Sequence, residues 1–330
     1  MRLHTVVPSL TRWRQGETGE GRGEIGFDAS PFPSLWIRFP DLELLCHVAG
    51  SAGVSNSIPL EQLEDVHPAM LTLPLSTRRV VLIGASNVTL SFPLLINSLI
   101  QSSPEPLEIF AAHGHGRSFC HWSYVLHRGL PPVPGCGIWE SLRERPPVQQ
   151  TWGLVTDVGN DLIYGRTVED VLQNVDAVLQ RLAELQAAIT FVRLPLERIL
   201  MLSEFRYRVV KQMLFPGPTV PWNVISQRVI ELDERVAALA SSLNARVLTP
   251  RVSWYGVDPI HIRQSRRVAA WREILQSWSF PFEPVVSWPS QHASLRIWRS
   301  PPAERSYWKQ IYHTLQPGWL TSQGNSLWQY

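Results

Sequence analysis

The chain is predicted to form an α/β domain of three layers, with helices on both faces of a central, mostly parallel sheet of five strands. Three features lead there: five apolar runs without polar alternation, amphipathic helical stretches between them, and Gly-containing turns placed just past the runs. The first run, Arg78 to Ile83, is apolar after two arginines and ends at Gly84; Val88 to Ile100 then carries apolar residues at helical spacing. Further runs follow at Leu107 to Ala112, Trp152 to Val158, Ala188 to Leu194 and Ala245 to Leu248, rich in Val, Ile, Leu and Phe. A strand buried on both faces reads this way, because neither face meets water. Among the helices, Thr167 to Leu185 is the clearest. Its residues Val168, Val171, Leu172, Val175, Val178, Leu179 and Leu182 form one stripe. Val224 to Leu243 and a stretch from about Ile262 to Trp278 supply two more.

Composition bounds the rest. The 330 residues suffice for one sizeable domain with extensions, and 44% hydrophobic content predicts a packed core. With 30 basic and 28 acidic residues the net charge is +2, so no global field favours nucleic acid or an anionic membrane. Met1 to Gly16 lacks an apolar stretch long enough for a secretory signal. Val80 to Ile100, the best candidate membrane span, is interrupted by Ser86, Asn87, Thr89, Ser91, Pro93 and Asn97. Cys46, Cys120 and Cys136 form no Cys-x-x-Cys pair, which argues against a disulfide framework or zinc ribbon. A soluble cytoplasmic protein without a membrane span or nucleic-acid partner is expected.

Three parts are expected: an N-terminal extension over 1–75, the α/β domain over 76–280 and a tail over 281–330. The extension contains a flexible segment, Gln15 to Gly26, and one or two strands between Phe32 and Val48, which suggest a small β appendage. In the tail Trp278, Trp288, Trp298 and Trp308 recur every ten residues, with Trp319 and Trp328 close to that beat. Indoles bury large areas, so the expectation is a tail packed onto the core; the competing reading is an aromatic platform for sugars or acyl chains.

Four short segments carry chemistry: Gly84-Ala85-Ser86-Asn87, Gly114-His115-Gly116-Arg117-Ser118, Gly159-Asn160-Asp161 and Asp258-Pro259-Ile260-His261. A serine hydroxyl is a poor nucleophile at neutral pH and needs a base beside it, with donors aimed at the developing oxyanion. These segments hold a serine, glycine amides, an asparagine amide, a histidine and a carboxylate. Ser86, Gly116 and Asn160 each fall just past a predicted strand end, where ligands bind in such sheets.

This order of segments resembles the SGNH (GDSL-type) hydrolase superfamily, whose four blocks contribute Ser, Gly, Asn and His in sequence. The resemblance spans residues 78 to 277. It implies an SGNH/flavodoxin-like sheet, Ser86 as nucleophile, Asp258 and His261 as the rest of a triad, and an oxyanion hole of Ser86, Gly116 and Asn160. Gly114 is the alternative for the second-block glycine. The first block reads Gly84-Ala85-Ser86 where the family usually has Gly-Asp-Ser, and Val158 stands where the third block would have glycine. The activity implied is that of a serine esterase that forms an acyl-enzyme on a small-molecule or saccharide ester, without a cofactor or metal.

Other readings compete. The same fold could serve as a non-catalytic binding or scaffold module. His113, His115, His121 and His127 cluster around Cys120 and suggest a metal-dependent hydrolase, although the carboxylates of a hydrolytic zinc site are missing. Gly114-x-Gly116 after a strand suggests a dinucleotide loop, but Phe119 occupies the third glycine position. Ser86 by itself could simply cap a helix. Asp157 and Asp161 are expected to be structural. Acyl chain length, the alcohol and the oligomeric state are not encoded legibly.

Overall fold

The computed structural model describes residues 78–330 except 126, 215–219, 279–282 and 309, and the side chains of 213 and 214. The expected 1–75 extension, with Cys46, lies outside the described residues.

Strand β1 (Arg78–Ile83) leads into helices α1 (Ser86–Leu90) and α2 (Phe92–Ser102), followed by β2 (Leu107–Ala112). A short hairpin, β3 (Ser123–Val125) and β4 (Arg128–Leu130), and helix α3 (Ile138–Glu144) precede β5 (Gln150–Val155). Helices α4 (Asn160–Ile163) and α5 (Val168–Glu184) lead to β6 (Ala188–Val192). Three helices, α6 (Leu196–Leu200), α7 (Glu204–Leu214) and α8 (Trp222–Ser242), then intervene before β7 (Arg246–Leu248) and α9 (Gln264–Gln276). The tail forms α10 (Gln291–Arg299), β8 (Glu304–Tyr307), β9 (Gln310–His313), β10 (Trp319–Leu320) and β11 (Ser326–Gln329).

The five expected strands form a parallel sheet in the order β2-β1-β5-β6-β7. This is the flavodoxin-like order, in which the connections diverge to opposite faces between β1 and the third strand, here β5. Alternate residues of each strand enter two different cores. Val81, Ile83 and Phe110 meet the stripes of α5 and α8, whereas Val80, Leu82 and Ile109 meet α2 and α9. Both faces are dry, which is why no polar alternation appears in the runs. Helix α5 starts with a reciprocal cap: Asp170 N donates to Thr167 Oγ1 (3.1 Å) and Thr167 N to Asp170 Oδ2 (3.2 Å).

Among the described residues the sheet has seven strands, not five, because the tail adds two. β11 runs parallel to β2, and β10 pairs antiparallel with β11. Trp328 stacks on Phe110 with centroids 5.1 Å apart, and the Arg145 guanidinium lies over the indole. A four-residue strand, Ser-Leu-Trp-Gln, has too little periodicity to announce itself; its conformation depends on the open edge of β2. The ten-residue tryptophan beat does not mark one face. Trp271, Trp278 and Trp328 are buried, while Trp288, Trp298 and Trp308 are 43%, 42% and 71% exposed. A second, antiparallel sheet, β3-β4-β8-β9, joins the tail to the hairpin that follows β2.

The tail should therefore respond unevenly to mutation. Leu327 is fully buried on β11, so Leu327→Ala should cost about 2–5 kcal/mol in urea unfolding. Trp298→Ala, on the exposed side of α10, should change stability by about 0.5 kcal/mol or less.

Candidate active site

The turn after β1 is tight. A Cβ on Gly84 would sit 2.5 Å from Val88 Cγ2 and 2.9 Å from Thr156 Cγ2, so only glycine lets the strand meet α1 this closely. Ala85 occupies the cap position and Ser86 the first helical one, with no side-chain cap bond. The serine hydroxyl is thus free for another role. Asp157 braces the turn from the end of β5: its Oδ2 accepts from Ala85 N and Asn87 N, both at 3.0 Å. Between these two amides, the Ser86 N–H has no acceptor among the described residues. Asp157 itself adopts a left-handed φ of 61°, a conformation aspartate tolerates better than most residues.

After β7 the chain returns to the same rim. Asp258 Oδ1 accepts from Ile260 N (3.0 Å) and His261 N (3.2 Å), folding the loop into an Asx turn. That turn brings Asp258 Oδ2 to 2.6 Å from His261 Nδ1, and His261 Nε2 to 2.8 Å from Ser86 Oγ. A carboxylate beside Nδ1 places the proton there and leaves Nε2 as the acceptor for the serine hydroxyl. Burial works to raise the Asp258 pKa, but the hydrogen bond and charge of His261 and the two amides outweigh it. The carboxyl is held below its usual value and stays ionised. Asn87 ties the two segments together: Nδ2 donates to Asp157 Oδ1 (2.8 Å) and to Ile260 O (2.9 Å), while Oδ1 accepts from Ile262 N (2.8 Å).

Gly116 lies in the loop after β2 with φ 61°, and its N–H has no acceptor among the described residues. Its carbonyl accepts from Tyr164 Oη at 2.7 Å. Asn160, at the start of α4, donates from Nδ2 to Arg117 O at 3.1 Å, which uses one of its two amide hydrogens. Because a carbonyl can only accept, that contact also fixes which end of the amide is nitrogen. Gly114 closes the same loop by accepting from Arg117 N (3.2 Å). Fully buried Asp161 accepts from Ser118 Oγ and Phe119 N, and fully buried Arg117 donates to the carbonyls of His113, Pro131 and Tyr330. Both acidic residues expected to be structural, Asp157 and Asp161, are thus hydrogen-bond hubs.

Three of the four histidines have separate partners. His113 bonds Thr89 Oγ1 (2.9 Å) and Gln329 Oε1 (3.3 Å), His121 reaches Ser118 and Asp161, and His127 stacks on Trp308. Among the described residues no three His, Cys, Asp or Glu side chains gather to hold a metal. Burial, with the nearby Arg128 and Arg117 cations, lowers His113 to about 3. Burial, with the neighbouring His261, lowers His115 to about 4. Cys120 is pushed up to about 12 by burial and by Asp161, so its thiol is not a nucleophile.

A cleft of about 820 Å³, including its open mouth, begins at Ser86 and Asn160 and is otherwise mainly apolar. Ile163, Leu202, Val210, Ile225 and Val229 are among its walls. Lys211 also lines it, and desolvation lowers its pKa. No helix among the described residues is long and apolar enough to cross a membrane.

No protein-family model matches the chain, and no curated protein matches it. Solved structures do align. The M. smegmatis aryl esterase is 15% identical over 61% of this chain and 99% of its own, with a TM-score of 0.40. The psychrotrophic esterase EstA from Pseudoalteromonas sp. is 10% identical over 62% and 98%, at 0.36. AlinE4, an SGNH-hydrolase family esterase, is 16% identical over 62% and 93%, at 0.33.

Of the residues singled out in the sequence, Ser86, Asp258 and His261 lie in one hydrogen-bonded line, and Asn160 lines the cleft together with Ser86. Gly116 sits in the loop that Asn160 holds. Sequence reasoning missed Asn87, Arg117 and the cleft. Asn87 carries one available signal, its position beside the serine, but its partners are about 70 and 173 residues away.

Removing Asn87 should loosen the histidine loop. Asn87→Ala should lower stability by about 1–3 kcal/mol, the range for stranding buried partners, measured by urea unfolding; equal stability would show that water replaces the amide. Acid should also destabilise the fold through His113 and His115. Both folded-state pKa values are depressed, so as pH falls from about 6.5 the unfolded chain takes up protons first. Stability should fall between pH 6.5 and 4 by up to about 1.4 kcal/mol per pH unit for each histidine. Urea midpoints at pH 7, 6 and 5 would test this, with a shallower decline for His115→Gln.

Proposed function

We propose that this chain is a serine esterase that hydrolyses a carboxylic ester through an acyl-enzyme. The supporting observation is the continuous line from Asp258 Oδ2 through His261 to Ser86 Oγ, with contacts of 2.6 and 2.8 Å. Such geometry matches the roles of nucleophile, base and orienting carboxylate.

In this reading His261 Nε2 takes the Ser86 proton as Oγ bonds to the ester carbonyl carbon. Asp258 keeps the imidazolium oriented and stabilised. The carbonyl oxygen gains negative charge and receives hydrogen bonds from Ser86 N–H, Gly116 N–H and the remaining hydrogen of Asn160 Nδ2. His261 then returns the proton to the alkoxy oxygen as the C–O bond breaks, which releases the alcohol. Water, deprotonated by the same histidine, attacks the acyl-enzyme, and the collapse frees the acid and Ser86. The Ser86 amide, without an acceptor among the described residues while Asp157 takes its neighbours, favours an oxyanion role over a helix-capping one.

Ser86→Ala should remove p-nitrophenyl ester hydrolysis by at least about 10³-fold with unchanged melting. Asn160→Ala should lower kcat by about 10²–10³ with little effect on KM. Wild-type turnover by Ser86→Ala, or failure of the native protein to react with an activated phosphonate, would favour a non-catalytic binding module.

A further inference from the structure

The apolar cleft belongs to one side of the proposed reaction. Around the attacked carbonyl carbon, Ser86 Oγ, the oxyanion donors and the departing alcohol at His261 Nε2 fix three directions. The fourth substituent is the acyl group, which must point away from His261. Pro259 and Ile260 are the cleft residues contributed by the histidine loop. The rest of its apolar wall comes from other segments, from Ile163, three residues after Asn160, to Leu202, Val210, Ile225 and Val229.

That wall has an unusual source. A single helix suffices to connect adjacent parallel strands, yet β6 and β7 are separated by α6, α7 and α8. Helix α6 has no fully buried residue: Leu196 and Ile199 pack half-buried against the core, while Leu200 is 42% exposed. On the outer side of α6 and α7, Leu200, Met201, Phe205 and Val209 are 42%, 64%, 75% and 43% exposed. Exposed apolar side chains grouped in this way mark a surface that meets something apolar. Here the group adjoins the outer wall of an apolar cleft that ends at the reactive serine.

We infer that the ester cleaved at Ser86 carries a medium or long unbranched acyl chain delivered from a lipid aggregate, with the α6–α7 rim resting on the aggregate and the chain occupying the cleft. This inference rests on the serine-esterase reading. The cleft supplies the length preference because each methylene drawn from water into it adds binding in the transition state. The rim supplies the source, since a chain of that length is scarce as a monomer in water. A second copy of this chain could cover the same rim, and the test separates the two.

The experiment uses the full chain and Ser86-dependent turnover of p-nitrophenyl acetate, butyrate, hexanoate and octanoate below their critical micelle concentrations. The expected kcat/KM rises about fourfold per buried methylene, and Val210→Phe, at a half-buried cleft position, lowers the octanoyl-to-acetyl ratio at least tenfold. A flat or falling profile with acetate preferred would overturn the acyl-chain assignment while leaving the esterase reading intact. For the rim, Met201→Ser/Phe205→Ser should lower the ratio of turnover on phosphatidylcholine-vesicle-embedded ester to turnover on monomeric butyrate by at least fivefold. An unchanged ratio, or a shift in gel-filtration size in its place, would overturn the lipid source and assign the rim elsewhere. If no ester is hydrolysed and no phosphonate labels Ser86, the esterase reading has failed by itself; calorimetric titration with octanoate then decides the cleft. Octanoate binding that Val210→Phe abolishes would keep it as a fatty-acyl site, and absence of binding would overturn both.

Discussion

The carboxylate of Asp157 is the contact on which the candidate site depends. Three hydrogen bonds from Ala85 N, Asn87 N and Asn87 Nδ2 converge on it, which fixes the turn after β1 to the end of β5. The neighbouring strands β1 and β5 are where the sheet's connections diverge, so the turn sits over a natural crevice. By orienting Asn87, Asp157 also reaches the histidine loop indirectly, because Asn87 bonds Ile260 O and Ile262 N. One half-buried acceptor thus coordinates segments from three regions of the chain. A charge-assisted network of this kind holds its geometry more tightly than separate neutral contacts would.

The loop after β2 is held by a different device. Its arginine, Arg117, donates to main-chain oxygens of His113, Pro131 and Tyr330. Asp161 takes the opposite part and gathers Ser118 and Phe119. Asp161 also lies 3.4 Å from His121 Nδ1, and His113 and His115 stay neutral at physiological pH. His113 and His115 therefore add no cation beside His261 at that pH.

The tail reaches into the same loop. β11 lies along β2, Gln329 bonds His113, and Tyr330 accepts from Arg117. Its last strand contributes both to the sheet edge and to the support of the Gly116 loop. The exposed tryptophans of α10 and the small sheet take no part in this, which explains why the ten-residue beat has no single structural counterpart.

The sequence by itself determined the five core strands and the amphipathic helices, since local hydrophobic period decides those elements. It also marked Ser86, Asn160, Asp258 and His261, because strand-end turns and an Asp-x-x-His run are local patterns. Tertiary structure alone decided the strand order, the two extra strands from the tail and the role of Asn87. Each of these depends on partners far away in the chain: Trp328 on Phe110, Asn87 on Asp157 and Ile260. The apolar cleft was illegible for the same reason. Ile163, Leu202, Val210 and Val229 read as ordinary helix or loop positions until α4, α6, α7 and α8 are set around Ser86, and no local pattern records that arrangement.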